Sequence, residues 1–400
     1  MPAPTSSFGR LLPCLAALFG IFVFALTANT LPAALPRVAG EFGLEPTVLA
    51  RTMSVQFIAF MITTLVGGVL SDRIGKKLVF CAAALFAGLG AWRWATADGL
   101  AEGMQAAVLL GMGGGILESI SSALLSDLYP ERRKFLLNLA QVFYCAGAIG
   151  GPFLMSRLLP AGVSWRVFFV AIMIASVLLL LLFAYSHMPP PEAHERVEAA
   201  KLLAIVRRAN FVLPCIILYC YVLSESSLGF FITTYLKQHL AAPEHWAIVA
   251  LSIFWGTMMV GRMICAVLPE RLSYEKLVAL LCGGGMVCMM VQAWLPDWRF
   301  SIAAFACTGL AFAGAWPLIV GLTAIRNPRY SGSVIGLLVA IGALGCVTSP
   351  PLMELLFRFV PRTLVWPIAA LPLGLGVVLS LVLLRIPAPP PTVAAQPPAQ

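Results

Sequence analysis

Two carboxylates stand inside long apolar runs: Glu118 in "GMGGGILESISSALL" and Glu225 in "YVLSESSLGFF". A carboxylate in hydrocarbon is costly, so such a group usually faces a protein interior or a wet cavity and performs a task there. Gly111, Gly115, Glu118, Ser122 and Ser126 recur at steps of three or four, so on a helix they share one small, polar face. Asp127 lies about 13 Å further along that helix at 1.5 Å per residue. Tyr221, Glu225 and Gly229 form a second such face. Two acids so placed can relay protons or hold a hydroxylated solute at two points. The plainer alternatives are a structural acid hydrogen-bonded between helices for Glu118 and a cap near the outer rim for Glu225. Arg262 is the third charge within an apolar run. It suits a carboxylate or phosphate, or it pairs with Asp127 or Glu131 and closes an inner gate. Its depth near the interface favours the gate.

Uncharged groups extend the set. Asn29, Gln56, Asn138 and Gln141 offer donors and acceptors matched to hydroxyls. Trp255 and Trp316 are rings on which a sugar face can stack, or interface anchors. The sequence holds no P-loop, no spaced metal ligands and no nucleophile–base constellation, which speaks against an enzyme and implies no cofactor. The 10 cysteines are scattered without a C-x-x-C pair, and in apolar surroundings they behave as small hydrophobes.

The elements that must position these groups follow from composition. Of 400 residues, 60% are hydrophobic and 11% charged, and the mean hydropathy is +0.93. A soluble chain carries about a quarter of its residues charged, so most of this surface faces lipid. A net charge of +9 with no single basic face or tail gives no support for nucleic acid. A membrane helix needs about 20 apolar residues. On that basis the apolar runs predict twelve spans, near 11–36, 49–71, 78–97, 101–129, 135–158 and 164–188, then 209–239, 244–268, 275–296, 299–325, 331–358 and 361–386. The first run is too long for a secretory leader and reads as a retained helix. More than half of the 26 Lys and Arg fall on the connections that share a side with both termini, among them Arg73, Lys76, Lys77, Arg132, Arg133 and Lys134. Positive charge stays inside. A multi-pass protein of the cytoplasmic (inner) membrane with both termini cytoplasmic is expected.

The domain plan is a terminus at 1–10, six spans over 11–188, a linker at 189–208, six more over 209–386, and a tail at 387–400. The linker carries apolar residues at helical spacing among charges and is expected to lie as an amphipathic helix on the membrane surface. The Pro-rich tail is expected to be extended. Between spans 2 and 3 stands "GGVLSDRIGKK", and between spans 8 and 9 "AVLPERLSYEK", in which Ala266 aligns with Gly68, Glu270 with Asp72 and Arg271 with Arg73. Parallel repeats of this kind occur in transporters.

Gly68, Asp72, Arg73, Gly75, Lys76 and Lys77 make up G-x-x-x-D-R-x-G-K-K, which resembles the signature loop of the major facilitator superfamily. The resemblance spans nearly the whole chain. It implies an all-α integral membrane protein whose twelve helices form two six-helix bundles related by a pseudo-two-fold axis and rocking about a central cavity. Gly68 and Gly75 would then permit the tight turn, while Asp72, Asp127, Glu131, Arg262, Glu270 and Arg271 belong to gating. A narrower stretch, "GMGGGILESISSALLSDLYPERRKFLLNLAQ", resembles the fucose–proton type of sugar permease, with Glu118 as an embedded acid. Gln141 stands where that family often has a histidine, and helix 1 offers Asn29 without a carboxylate. The resemblance implies a monomer that carries a small, sugar-like solute with protons. The alternatives are a proton-driven exporter of amphiphiles, which Met-rich and aromatic cavity walls would favour, and a transporter-like sensor without net transport.

Overall fold

In a computed structural model, the structure describes residues 7–186, 188, 207–267, 273–327 and 331–387. Twelve helices in it are long and apolar enough to cross a membrane. They are α1 (Arg10–Glu41), α2 (Pro46–Gly67), α3 (Lys76–Ala95), α4 (Leu100–Leu125), α5 (Phe135–Leu158) and α6 (Arg166–Tyr185), then α7 (Ala209–His239), α8 (Glu244–Cys265), α9 (Tyr274–Trp294), α10 (Trp298–Arg326), α11 (Val334–Phe359) and α12 (Arg362–Leu384). The linker helix, the tail, Glu270 and Arg271 lie outside the described residues.

Burial sorts the helices. The best apolar window of α7 is 83% buried, while that of α6, the most apolar of all, is 28% buried. The first runs through the middle of the molecule and the second spends its hydrophobicity on lipid. Within the first half α1 packs on α5 and α4, α2 on α4, and α3 on α4 and α6. Within the second, α7 packs on α11 and α12, α8 on α10, and α9 on α12 and α10. The halves meet through α2 against α11, α5 against α8, and α1 against α7.

The turn between α2 and α3 rests on Gly75, whose φ of +90° belongs to the region that favours glycine. Gly68, also expected at that turn, lies inside the helix, which runs to Ile74. The α10 span is broken into Trp298–Phe312 and Ala315–Arg326. Its broken turn leaves carbonyls free for partners from other helices.

The repeat is written in packing more than in sequence. Ser54 on α2 donates to the Val347 carbonyl on α11 (2.7 Å), and Ser252 on α8 donates to the Ile149 carbonyl on α5 (2.9 Å). One displacement along the chain carries Ser54 to Ser252 and Ile149 to Val347, so a single two-fold relates the two seams. The same displacement carries Gln56 to Phe254 and Gly111 to Gly309. A Cβ at Gly111 would lie 2.0 Å from the Gln56 carbonyl oxygen, and one at Gly309 would lie 2.4 Å from that of Phe254. Each glycine lets two backbones touch where a side chain cannot stand. Gly111→Ala is expected to cost about 1–3 kcal/mol by forcing α2 from α4, read as a lowered melting temperature. Gly40→Ala, where a Cβ meets nothing within 4 Å, serves as the control.

An ion pair also recurs, with its polarity reversed. Lys76 at the start of α3 pairs with Asp127 in the last turn of the α4 helix, which runs on to Leu128, and Glu275 at the start of α9 pairs with Arg326 at the end of α10 (2.7 Å). Both pairs join residues 51 positions apart. Arg326 is only 4% exposed and also donates to Asn210 and to the Leu383 carbonyl, tying α7, α9, α10 and α12 together.

Candidate functional site

A central cavity lies between the two halves, with ≈ 880 Å³ of empty space when the open solvent at its mouth is included. Its walls come from α1, α2, α4, α5, α7, α8, α10 and α11. Glu118 from α4 and Glu225 from α7 both line it, as do Asn29, Gln141, Trp255 and Trp316. Six of the eight sequence-predicted binding residues therefore meet in one space. Gln56 does not join them: it is buried between α2 and α1, with its amide 3.5 Å from the Thr27 carbonyl. The side chain of Asn138 lies outside the described residues.

Glu225 and Tyr221 are one helical turn apart. The Tyr221 hydroxyl is 2.7 Å from Glu225 Oε1 and 3.1 Å from the Phe312 carbonyl, one of those freed at the α10 break. A phenol carries a single hydrogen. Both contacts are satisfied together when Glu225 is protonated and donates to Tyr221, which then donates to Phe312. Removing that proton forces Tyr221 to choose. The buried network is thus complete in one protonation state and short of one donor in the other. Glu118 is set differently: its Oε2 is buried and has no hydrogen-bond partner among the described residues. A solute donor or a proton would complete it.

Arg262 departs from expectation. Asp127 is taken by Lys76 within the first half, and Glu131 is exposed. Arg262 instead lines the cavity. Its Nη1 donates to Gln141 Oε1 across the halves (3.2 Å) and lies 3.6 Å from Cys145 Sγ, its Nη2 lies 3.5 Å from Met258 Sδ, and its Nε donates to the Ala313 carbonyl (3.3 Å). The pairing expected from sequence placed Arg262 at the membrane interface. The α10 break supplies a different acceptor, the Ala313 carbonyl. Arg73 and Lys77 are exposed at the α2–α3 turn, and the side chain of Asp72 lies outside the described residues.

Polar contacts between the halves cluster at the end opposite the termini, where sequence reasoning did not look. Arg37 near the end of α1 makes a bidentate pair with Glu244 at the start of α8 (3.1 and 2.8 Å), and Lys237 adds a third donor (3.1 Å). Arg51 does the same with Glu354 on α11 (2.9 and 2.6 Å). His245 Nδ1 lies 2.9 Å from the Ser156 carbonyl. Inside this layer come the two serine–carbonyl bonds, and then Phe57 against Phe230, with ring centroids 5.7 Å apart. That ring pair caps the cavity.

The rest of the lining mixes rings with small and aliphatic residues: Phe24, Phe60 and Tyr144 join Phe57 and Phe230 as its five rings. Tyr144 meets Trp255 edge-on across the halves at 5.7 Å. None of these five was singled out from sequence. Tyr144 could have been, since it lies one turn from Gln141 on α5. No methionine lines the cavity among the described residues, so the Met-rich wall weighed above is not formed by them.

The family model of the Major Facilitator Superfamily matches residues 17–350. In fold, the chain is similar to a nucleoside transporter, NupG (TM-score 0.77, 13% identity, 94% of this chain and 99% of that one). It is likewise similar to the Fucose:proton symporter FucP of E. coli (TM-score 0.70, 17% identity, 94% and 99%). In sequence, it is 22% identical to a TsgA homolog of Buchnera aphidicola over 60% of this chain, spanning 63% of that protein. It is 29% identical to plastidic glucose transporter 4 of Arabidopsis thaliana over 46% of this chain, spanning 34% of that protein. A longer alignment, 22% identical over 87% of each protein, is with a 3-(3-hydroxy-phenyl)propionate transporter of Escherichia coli.

Proposed function

Because the chain belongs to the Major Facilitator Superfamily, we propose that its central cavity carries one small solute across the cytoplasmic membrane by alternating access, coupled to protons through Glu118 and Glu225. The observation that supports this most is the meeting of two acids, one from each half, in one cavity capped at one end. A rocking of the halves would open the site that holds both acids first to one side of the membrane and then to the other. Their surroundings differ: the proton on Glu225 completes a fixed network, whereas Glu118 has room for a new partner. We assign Glu118 to the coupling step and Glu225 to holding the loaded state, in a protein that works as a monomer.

Lys and Arg crowd the end that holds the termini, so that end is assigned to the cytoplasm. The capped end then faces outward, and the conformation is the inward-facing one. The solute has a polar head and an apolar body. Asn29, Gln141 and the two acids serve the first, and the ring-lined walls serve the second. The sugar-like cargo read from sequence satisfies the polar side of this description, in keeping with the glucose transporter among the relatives. The aromatic walls also fit the ring-bearing cargo named for the phenylpropionate relative, and they favour the amphiphile-export reading as the second choice.

Proton flux tests the proposal. In proteoliposomes containing a pH-sensitive dye, an inward solute gradient is expected to acidify the lumen only when the carried solute is present. Outward proton movement against an inward solute flux would give the exporter reading. Solute flux with no proton movement would defeat the coupling.

A further inference from the structure

We propose that the cargo is a small organic monoanion, its carboxylate held by Arg262 and its flat apolar body held by the cavity rings, admitted when Glu118 and Glu225 carry protons. This rests on the proton-coupled reading above and names the chemistry of the same site.

The argument begins with what surrounds Arg262. A guanidinium carries its charge under all physiological conditions and presents a rigid, planar fork. Taking such a group out of water is costly unless an opposite charge meets it. Each partner of Arg262 is neutral: an amide oxygen, a carbonyl oxygen and two sulfur atoms. Sulfur is a weak acceptor. Among the described residues Arg262 makes no ion pair, although it lines the same cavity as two acids. Among the described residues, three other buried or half-buried arginines are paired: Arg326 with Glu275, Arg37 with Glu244 and Arg166 with Glu41. Arg262 differs from the others in making no direct ion pair: the two acids of its cavity balance its charge only when they are ionised, and neither hydrogen-bonds to it. The cavity in front of it supplies the space for an anion.

Charge counting then links the anion to protons. With both acids ionised, the three charged groups of the cavity sum to a negative value, and an incoming anion is repelled. With both protonated, Arg262 alone remains, and the anion is drawn in. A neutral sugar would leave Arg262 without a counter-charge whenever both acids carry protons. The apolar walls set the rest of the cargo. Phe24, Phe60 and Tyr144 on one side and Trp255 and Trp316 on the other line a space suited to a ring or short chain. A carboxylate on such a body is the solute that uses both halves of the site, with the fork making two parallel hydrogen bonds to it.

The test compares each acid with its own neutral amide. Acetate, cyclohexanecarboxylate and benzoate, their amides, and glucose are titrated into the purified protein, about one pH unit below and above neutrality, with thermal stabilisation as the readout. At least one ring acid is expected to bind about tenfold or more tighter than its amide, with the preference larger at the lower pH. Arg262→Gln is expected to remove the preference, and Arg262→Lys to retain part of it, which keeps the result readable if the glutamine variant does not fold. Amides binding as well as acids, glucose binding while no acid does, or no binding by any probe would each overturn the proposal. Arg262-dependent binding of an acid that enters proteoliposomes without a proton upholds the cargo class and overturns the coupling instead.

Discussion

Glu118→Gln is expected to cut gradient-driven accumulation by a factor of about 100 or more, the lower end of what a positioned proton-transfer group contributes. Solute exchange between two equally loaded sides should survive. Gln keeps the shape of Glu and cannot release a proton, so the variant stays in the loaded electrostatic state and can still rock with cargo aboard. It cannot make the return trip as the ionised, empty carrier. The unpartnered Oε2 makes the substitution mild for folding, because no existing bond is broken. Glu225→Gln is the informative comparison. Its amide can donate to Tyr221 as the protonated acid does, so the Tyr221–Phe312 link is kept. Binding should persist there, with a smaller loss of accumulation. Accumulation intact in Glu118→Gln and abolished in Glu225→Gln would reverse the two roles assigned here.

The spans were legible in the sequence because a long apolar run has only one way to satisfy its backbone in lipid. The face of α4 was legible for a related reason. Small residues at helical spacing around a carboxylate have no lipid-facing explanation, and Gly111 and Glu118 do lie on packing and cavity surfaces. The pairing of Tyr221 with Glu225 was visible as a shared face, though its second acceptor was not. That acceptor depends on the break in α10, a backbone event at Ala313–Gly314 that glycine content hints at without locating. Arg262 went astray for the same reason: its depth was judged by distance from a run's end, and a broken neighbour changed what lay opposite. The aromatic walls were hidden because Phe in an apolar run fits core, lipid and cavity equally well. The α2–α3 loop drew attention by its charge density. The charges that join the halves, Arg37, Arg51, Glu244 and Glu354, are spread singly over four helices, and each partner lies in the other half of the chain. Nothing local marks them as partners. The repeat shows where function has departed from symmetry: the displacement that carries Ser54 to Ser252 also carries Glu118 to Trp316. The seams have kept their two-fold. The cavity has placed an acid on one wall and a ring on the other.

Glu244→Gln is expected to loosen the capped end. Glu244 accepts two bonds from Arg37 and one from Lys237, with both acid and arginine half-buried. Charge-assisted hydrogen bonds contribute about 1.5–3 kcal/mol where they are shielded, so a net loss of about 2 kcal/mol is expected after screening. At 1.4 kcal/mol per factor of ten, the ratio of inward-facing to outward-facing protein should fall by roughly 30-fold. Amide hydrogen exchange at the α1–α2 and α7–α8 connections reads this directly and should accelerate. Exchange at the α2–α3 turn, which lies at the other end, should slow or stay as it was. Glu354→Gln should act in the same direction and more weakly, because Arg51 is exposed and its pair is open to salt. The pairing can also be inverted: Arg37→Glu combined with Glu244→Arg should recover part of what either change alone removes. A general destabilisation would raise exchange at both ends and would not be rescued by the swap. Unchanged exchange in Glu244→Gln would mean that the serine–carbonyl seams and the Phe57–Phe230 contact close that end without help from charge.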